Sequence, residues 1–133
     1  MASISKTFSI GADVASAWDA LRDFGNVDTR VAAGFVTNSV NDGDDRVVTF
    51  VNGAVARERL VSSDDDRHRL VYSVVESALG LTHYQASVEV TASRDGTGSQ
   101  FTWQVDLLPD EAAPTVEAMM TAGAAAIART LAG

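Results

Sequence analysis

Residues Ala56–Tyr84 read ARERLVSSDDDRHRLVYSVVESALGLTHY, and the fold turns on how this stretch is read. A period of two runs through Ala54–Ser62, with Ala56, Glu58 and Leu60 on one face and Arg57, Arg59 and Val61 on the other. The acidic turn SDDDR (Ser63–Arg67) interrupts it, and His68–Val75 resumes as a second strand. A connector over Glu76–Gly80 follows. Strands joined by short polar loops favour antiparallel hairpins, so the stretch predicts part of a meander.

Working outward, Thr82–Ala92 alternates cleanly, with Tyr84, Ala86, Val88 and Val90 against Gln85, Ser87, Glu89 and Thr91. The turn RDGTGS (Arg94–Ser99) leads into Gln100–Leu108. Upstream, Phe35–Val40 and Arg46–Val51 flank NDGDD (Asn41–Asp45), and Asn52-Gly53 carries the signature of a two-residue hairpin turn. Near the start, Ile4, Lys6, Phe8 and Ile10 alternate with Ser5, Thr7 and Ser9 in a half-buried strand. Asp13 then caps a helix carrying Val14, Ala17, Trp18 and Leu21 at three- and four-residue spacing. That helix is expected to end near Phe24–Gly25, with the glycine in a left-handed cap, ahead of a short helix or turn over Val27–Ala33.

Both prolines, Pro109 and Pro114, mark a change of pattern, after which Thr115–Leu131 reads as one helix. Its apolar face runs Val116, Met119, Met120, Gly123, Ala124, Ile127 and Leu131. A curved sheet offers that face one place to bury itself, the concave side. The middle of the helix, TAGAAAIA (Thr121–Ala128), fills little volume. Either small residues let helix and sheet approach closely, or they leave a cavity that takes a ligand, since interiors otherwise hold few voids.

Composition removes other classes. The chain of 133 residues carries ten Lys+Arg against eighteen Asp+Glu, a formal charge of −8, which disfavours nucleic acid and anionic membranes as partners. It has no cysteine, which rules out disulfides, thiol catalysis and cysteine-ligated metals. The two histidines, His68 and His83, give no metal-ligand spacing, and neither a metal nor another cofactor is expected. MASISKTFSI lacks an apolar signal core and no stretch approaches ~20 apolar residues, so a cytoplasmic location without membrane insertion is expected. The GTG of Arg94–Ser99 is too short for a phosphate loop, and no Ser-His-Asp or Cys-His set can be assembled.

The Ala56–Tyr84 stretch, with its ERL motif, its acidic turn ending in Arg-His, its S-V-V strand and its apolar run to a Tyr, resembles the Bet v 1-like, START-like (SRPBCC) superfamily. It is most similar to the bacterial polyketide cyclase/dehydrase group, and also resembles the plant abscisic acid receptors. VASAWDALRDFGN (Val14–Asn26) and TWQVDLLP (Thr102–Pro109) extend the likeness, which spans residues 1–133 as a single domain. The resemblance implies an α+β helix-grip fold, a seven-stranded antiparallel sheet around a long C-terminal helix with two short helices after the first strand.

It also implies a function, binding of a polyketide-, lipid- or terpenoid-like small molecule in a cavity between sheet and helix. A cyclase, aromatase or dehydratase acting in that cavity is the alternative, and a purely structural interaction module is a third. The matching ligand positions are Glu58, Tyr72, Leu79, Leu81, Tyr84, Met119, Gly123, Ala124 and Ile127. Glu58, Tyr72 and Tyr84 are the catalytic candidates. The chain departs from the receptors in its shortened loop around Asn52-Gly53-Ala54 and in having no basic residue in Val31–Gly34. A monomer or weak homodimer is expected.

Two side chains, Glu58 and Trp103, carry competing readings. Glu58 is either a solvated acid paired with an Arg on a neighbouring strand, or an inward acid among apolar walls whose pKa burial would raise. Alternation turns Phe101, Trp103 and Val105 inward, making Trp103 a further lining residue. Matching to the receptors gives the opposite parity, but that would bury Thr102, Gln104 and Asp106. His83 is turned away from the cavity by the same alternation, and His68 is expected at the surface beside Asp64–Asp66.

Overall fold

A computed structural model describes residues 1–133. Seven antiparallel strands form one open sheet: β1 (Ala2–Ile10), β2 (Val36–Asp42), β3 (Asp45–Phe50), β4 (Val55–Asp64), β5 (Arg69–Ser77), β6 (His83–Ala92) and β7 (Ser99–Leu108). Their order across the sheet is β1-β7-β6-β5-β4-β3-β2, so each hairpin joins neighbours and β1 closes against β7. Between β1 and β2 lie α1 (Val14–Arg22), a 3-10 turn at Phe24–Asn26 and the single-turn α2 (Val27–Arg30). The last element is α3 (Ala113–Thr130). This is the α+β helix-grip arrangement.

Alternation decides which side chains share the concave face. Tyr84, Ala86, Val88 and Val90 of β6 stand opposite Leu107, Val105, Trp103 and Phe101 of β7. Trp103 is therefore inward, 8% exposed, and the parity read from its own strand holds. On β1, Phe8 stacks on Phe101 with ring centroids 5.1 Å apart, and Lys6 reaches Glu117 of α3 at 3.1 Å. The inward lysine thus links the edge strand to the helix lying over it. Helix α3 is pinned at its far end, where Ala12 N–H donates to Leu131 O at 2.9 Å and Ser99 Oγ donates to Ala12 O at 2.7 Å.

The α1 cap is as read, with Asp13 Oδ1 accepting from Ser16 N–H at 2.7 Å. Gly25 differs from expectation. Its φ is not in the left-handed region, and the glycine is there for space: a Cβ would lie 2.2 Å from Asn41 Oδ1. The second short helix ends at Arg30 rather than Ala33.

The hairpin turns also differ. The two-residue turn is Gly43-Asp44, between paired Asp42 and Asp45, with Gly43 at φ 64°. A glycine leading a two-residue loop supplies the positive φ that such a turn requires. Asn52-Gly53 sits inside a longer turn, Val51–Ala54, where Phe50 N–H donates to Ala54 O at 2.8 Å and Asn52 Oδ1 accepts from Ala54 N–H at 3.0 Å. A two-residue turn there would have set Arg46 opposite Arg59. The observed turn pairs Thr49 with Val55 and hence Arg46 with Glu58. One residue of register moves every side chain to the other face.

Candidate functional site: a pocket under the C-terminal helix

Helix α3 packs on β1, and over the β3–β5 side of the sheet a pocket of about 200 Å³ remains. It is lined by 29 residues, 24 of them hydrophobic, contributed by the concave strands, by α1 and α2, and by α3. Arg46 and Glu58 are the only charged side chains among them. β-bulges break the β4–β5 register between Arg57 and Glu58 and again between Leu60 and Ser62. Bulges bend a strand and re-aim its side chains, and here they flank Glu58, which stands opposite Val74, while Leu60 faces Tyr72.

Of the sequence-predicted residues, the structure brings Glu58, Tyr72, Leu79, Leu81, Tyr84, Trp103, Met119 and Ile127 to the pocket wall. Gly123 and Ala124 lie off it. A Cβ on Gly123 would come within 3.0 Å of the Trp103 ring and 3.2 Å of the Phe35 ring, so this glycine provides close approach between helix and sheet. The space is bounded instead by the larger Val116, Met119, Met120 and Ile127 of the same helix. His83 is not on the wall. His68, expected at the surface, is half-buried with φ 53°, its ring edge-on to Trp18 at 5.9 Å.

Glu58 is not a lone acid. Arg46, a residue that sequence reasoning did not single out, donates from Nε to Glu58 Oε1 at 2.9 Å, with both side chains less than a tenth exposed. Its Nη1 donates to Phe24 O at 2.9 Å. The guanidinium carbon lies 3.9 Å from the Phe24 ring centroid and 5.0 Å from that of Tyr72. Two aromatic faces and a carboxylate thus hold the cation in place of water; a desolvated cation–π contact alone contributes about 2 kcal/mol. The basic side chain in this pocket comes from β3. The signal was present in the sequence, because Arg46, Val48 and Phe50 alternate on one face, but it becomes legible only with the right turn.

The pair leaves capacity unused. Arg46 Nη2 and Glu58 Oε2 make no hydrogen bond within the protein, and both residues line the pocket. The Tyr72 and Tyr84 hydroxyls sit beside one another and near Trp103, without hydrogen bonds of normal geometry. Trp103 Nε1 is buried with no partner. Burial, reinforced by the Glu58 carboxylate, pushes the Tyr72 phenol well above its usual range. Tyr84 is raised by burial and then by Tyr72 and Glu58. Both phenols therefore remain protonated near neutral pH and act as neutral donors and acceptors.

No group of three or more His, Cys, Asp or Glu side chains is placed to hold a metal ion. No helix is long and apolar enough to cross a membrane.

Comparison with known proteins agrees with this architecture. Protein XoxI from Bacillus cereus superposes with a TM-score of 0.87 at 18% identity, covering 98% of this chain and 96% of its own. A protein from Thermobifida fusca gives 0.79 at 23% identity, covering 99% and 91%. Norcoclaurine synthase from Thalictrum, solved as a point mutant with a transition-state analogue, gives 0.66 at 19% identity, covering 98% and 93%. At these identities the likeness establishes the fold alone. No curated protein sequence matches the chain. The sequence model of one family, described as "Polyketide cyclase / dehydrase and lipid transport", matches residues 1–132, and the chain belongs to that family.

Proposed function

We propose that the protein binds a compact hydrophobic molecule in the pocket between the sheet and α3, with a polar end of the ligand directed at Arg46, Glu58, Tyr72 and Tyr84. The observation that carries this reading is the character of the lining, 24 hydrophobic residues of 29, with its two charged side chains paired to each other beside Tyr72. Small-molecule sites are built this way, with apolar area giving affinity and sparse polar groups fixing orientation. The volume lies below the roughly 300–1,000 Å³ of drug-sized sites, which favours one or two fused rings of polyketide or terpenoid type over a long acyl chain.

Catalysis in the same pocket is the second reading. It is favoured by the convergence of Glu58, Tyr72 and Tyr84, three groups able to hold or pass a proton, beside a space that would confine a flexible substrate. Against it, Glu58 is engaged by Arg46 and both phenols are poor bases.

A panel of one- and two-ring ketones, phenols and hydrocarbons, screened by thermal shift, tests the binding reading. Saturable stabilisation is expected, and it is lost in Ala56→Leu, which puts bulk into the pocket wall. No stabilisation by any member contradicts it. Cyclisation or dehydration of poly-β-ketone substrates by the wild type, abolished in Glu58→Gln, would favour the enzyme.

A further inference from the structure

The Arg46–Glu58 pair has a consequence for which ligands enter. We infer that this pair is a charge filter: the group held at the polar end is an uncharged oxygen (a phenol, enol or ketone), and Glu58 is the residue that excludes carboxylates. The inference rests on the binding reading above.

Arg46 and Glu58 cancel each other at 2.9 Å, and no other charged side chain lines the pocket. An entering carboxylate would approach Arg46 only alongside Glu58 Oε2, a like charge in a place with little water to screen it. An entering ammonium meets the converse problem at Arg46. An uncharged oxygen meets neither. The open positions suit it, since Arg46 Nη2 donates, Glu58 Oε2 accepts, and the Tyr72 and Tyr84 hydroxyls do both. A phenol or enol oxygen, itself donor and acceptor, can satisfy atoms from both members of the pair at once.

The filter is reversible by design. With Glu58→Gln, Arg46 keeps a neutral hydrogen-bonding neighbour and loses its counter-charge, so the preference turns toward anions. With Arg46→Gln, it turns toward cations.

The test is calorimetric titration at neutral pH with four probes of similar skeleton: 2-naphthol, 1-tetralone, 2-naphthoate and 2-naphthylmethylamine. For the wild type, the two neutral probes bind about tenfold or more tighter than either ion, the difference of about one hydrogen bond. In Glu58→Gln, 2-naphthoate gains about 10–100-fold and overtakes 2-naphthol, as a hydrogen bond to an unopposed charge predicts. Arg46→Gln, in which 2-naphthylmethylamine gains instead, keeps the test open if the first variant does not fold. Wild-type preference for 2-naphthoate, or an unchanged order of affinities in the folded variants, overturns the filter while leaving the pocket as a binding site. Failure of every probe to bind overturns the binding reading itself.

Discussion

Adjacent residues of the β3–β4 hairpin send ion pairs to opposite faces of the sheet. On the concave side, Arg46 meets Glu58 at 2.9 Å. On the convex side, Asp45 meets Arg59 through two hydrogen bonds of 2.8 and 3.1 Å and Arg57 through a third of 3.0 Å, and Arg57 continues to Asp42 at 2.9 Å. Both of Asp45's oxygens are engaged, whereas the concave pair leaves one nitrogen and one oxygen open. A saturated network beside solvent fastens strands together. An unsaturated pair in an apolar pocket retains the capacity to recognise something else, at a greater risk to stability.

The largest effect should come from breaking the concave pair by one partner. Glu58→Leu strands a buried guanidinium and is expected to cost about 3–5 kcal/mol in urea unfolding. Replacing both, Arg46→Met with Glu58→Leu, should recover most of that loss, because an apolar pair of similar volume needs no compensation. Equal losses in the single and double variants would show that the pair is not an isolated charge couple.

Breaking the convex network should do less, and its signature is pH. The Asp45 carboxyl is held below its usual range by hydrogen bonds from Arg59 and then Arg57. Its folded pKa is depressed, so its contribution is present above the unfolded value near 3.8 and is lost as pH falls through the lower folded value. Asp45→Asn is therefore less stable than wild type at neutral pH, and the gap narrows on acidification. A gap constant between pH 7 and pH 2 would contradict the assignment.

Salt separates the faces more finely. At about 1 M salt the screening length falls to roughly 3 Å, and the coupling of Asp45 with half-exposed Arg59 should shrink in a double-mutant cycle. The Arg46–Glu58 coupling, shielded by Phe24 and Tyr72, should hardly move. Smallest of all is the stability effect of Tyr72→Phe. Its hydroxyl makes no hydrogen bond of normal geometry, so urea unfolding should change by less than about 0.5 kcal/mol while affinity for 2-naphthol falls.

The same hairpin marks where the sequence was legible. Strands β6 and β7 could be read because their alternation is uninterrupted, and Asp13 because a cap is a local device. Trp103 was placed correctly by the polarity of its own strand, against a family-based parity. Arg46 is hidden in the sequence because the dipeptide Asn52-Gly53 marks a two-residue turn, while the chain uses Gly43-Asp44 for that turn and lengthens the other. The position of Gly123 depends on the rings of Trp103 and Phe35, contributed by strand β7 and by the segment leading into β2. The period of α3 cannot tell a helix residue that meets a ring from one that meets a pocket.

Two tryptophans report separately on the pocket and on the region outside it. Trp103 lines the pocket, while Trp18 lies outside it and donates from Nε1 to Asp65 Oδ1 at 2.8 Å. In a 1H–15N spectrum titrated with 2-naphthol, a saturable shift of the Trp103 indole N–H is expected, with the Trp18 indole unmoved. A Trp103 signal that stays in place through the titration, or a Trp18 signal that moves alone, would contradict binding in this pocket.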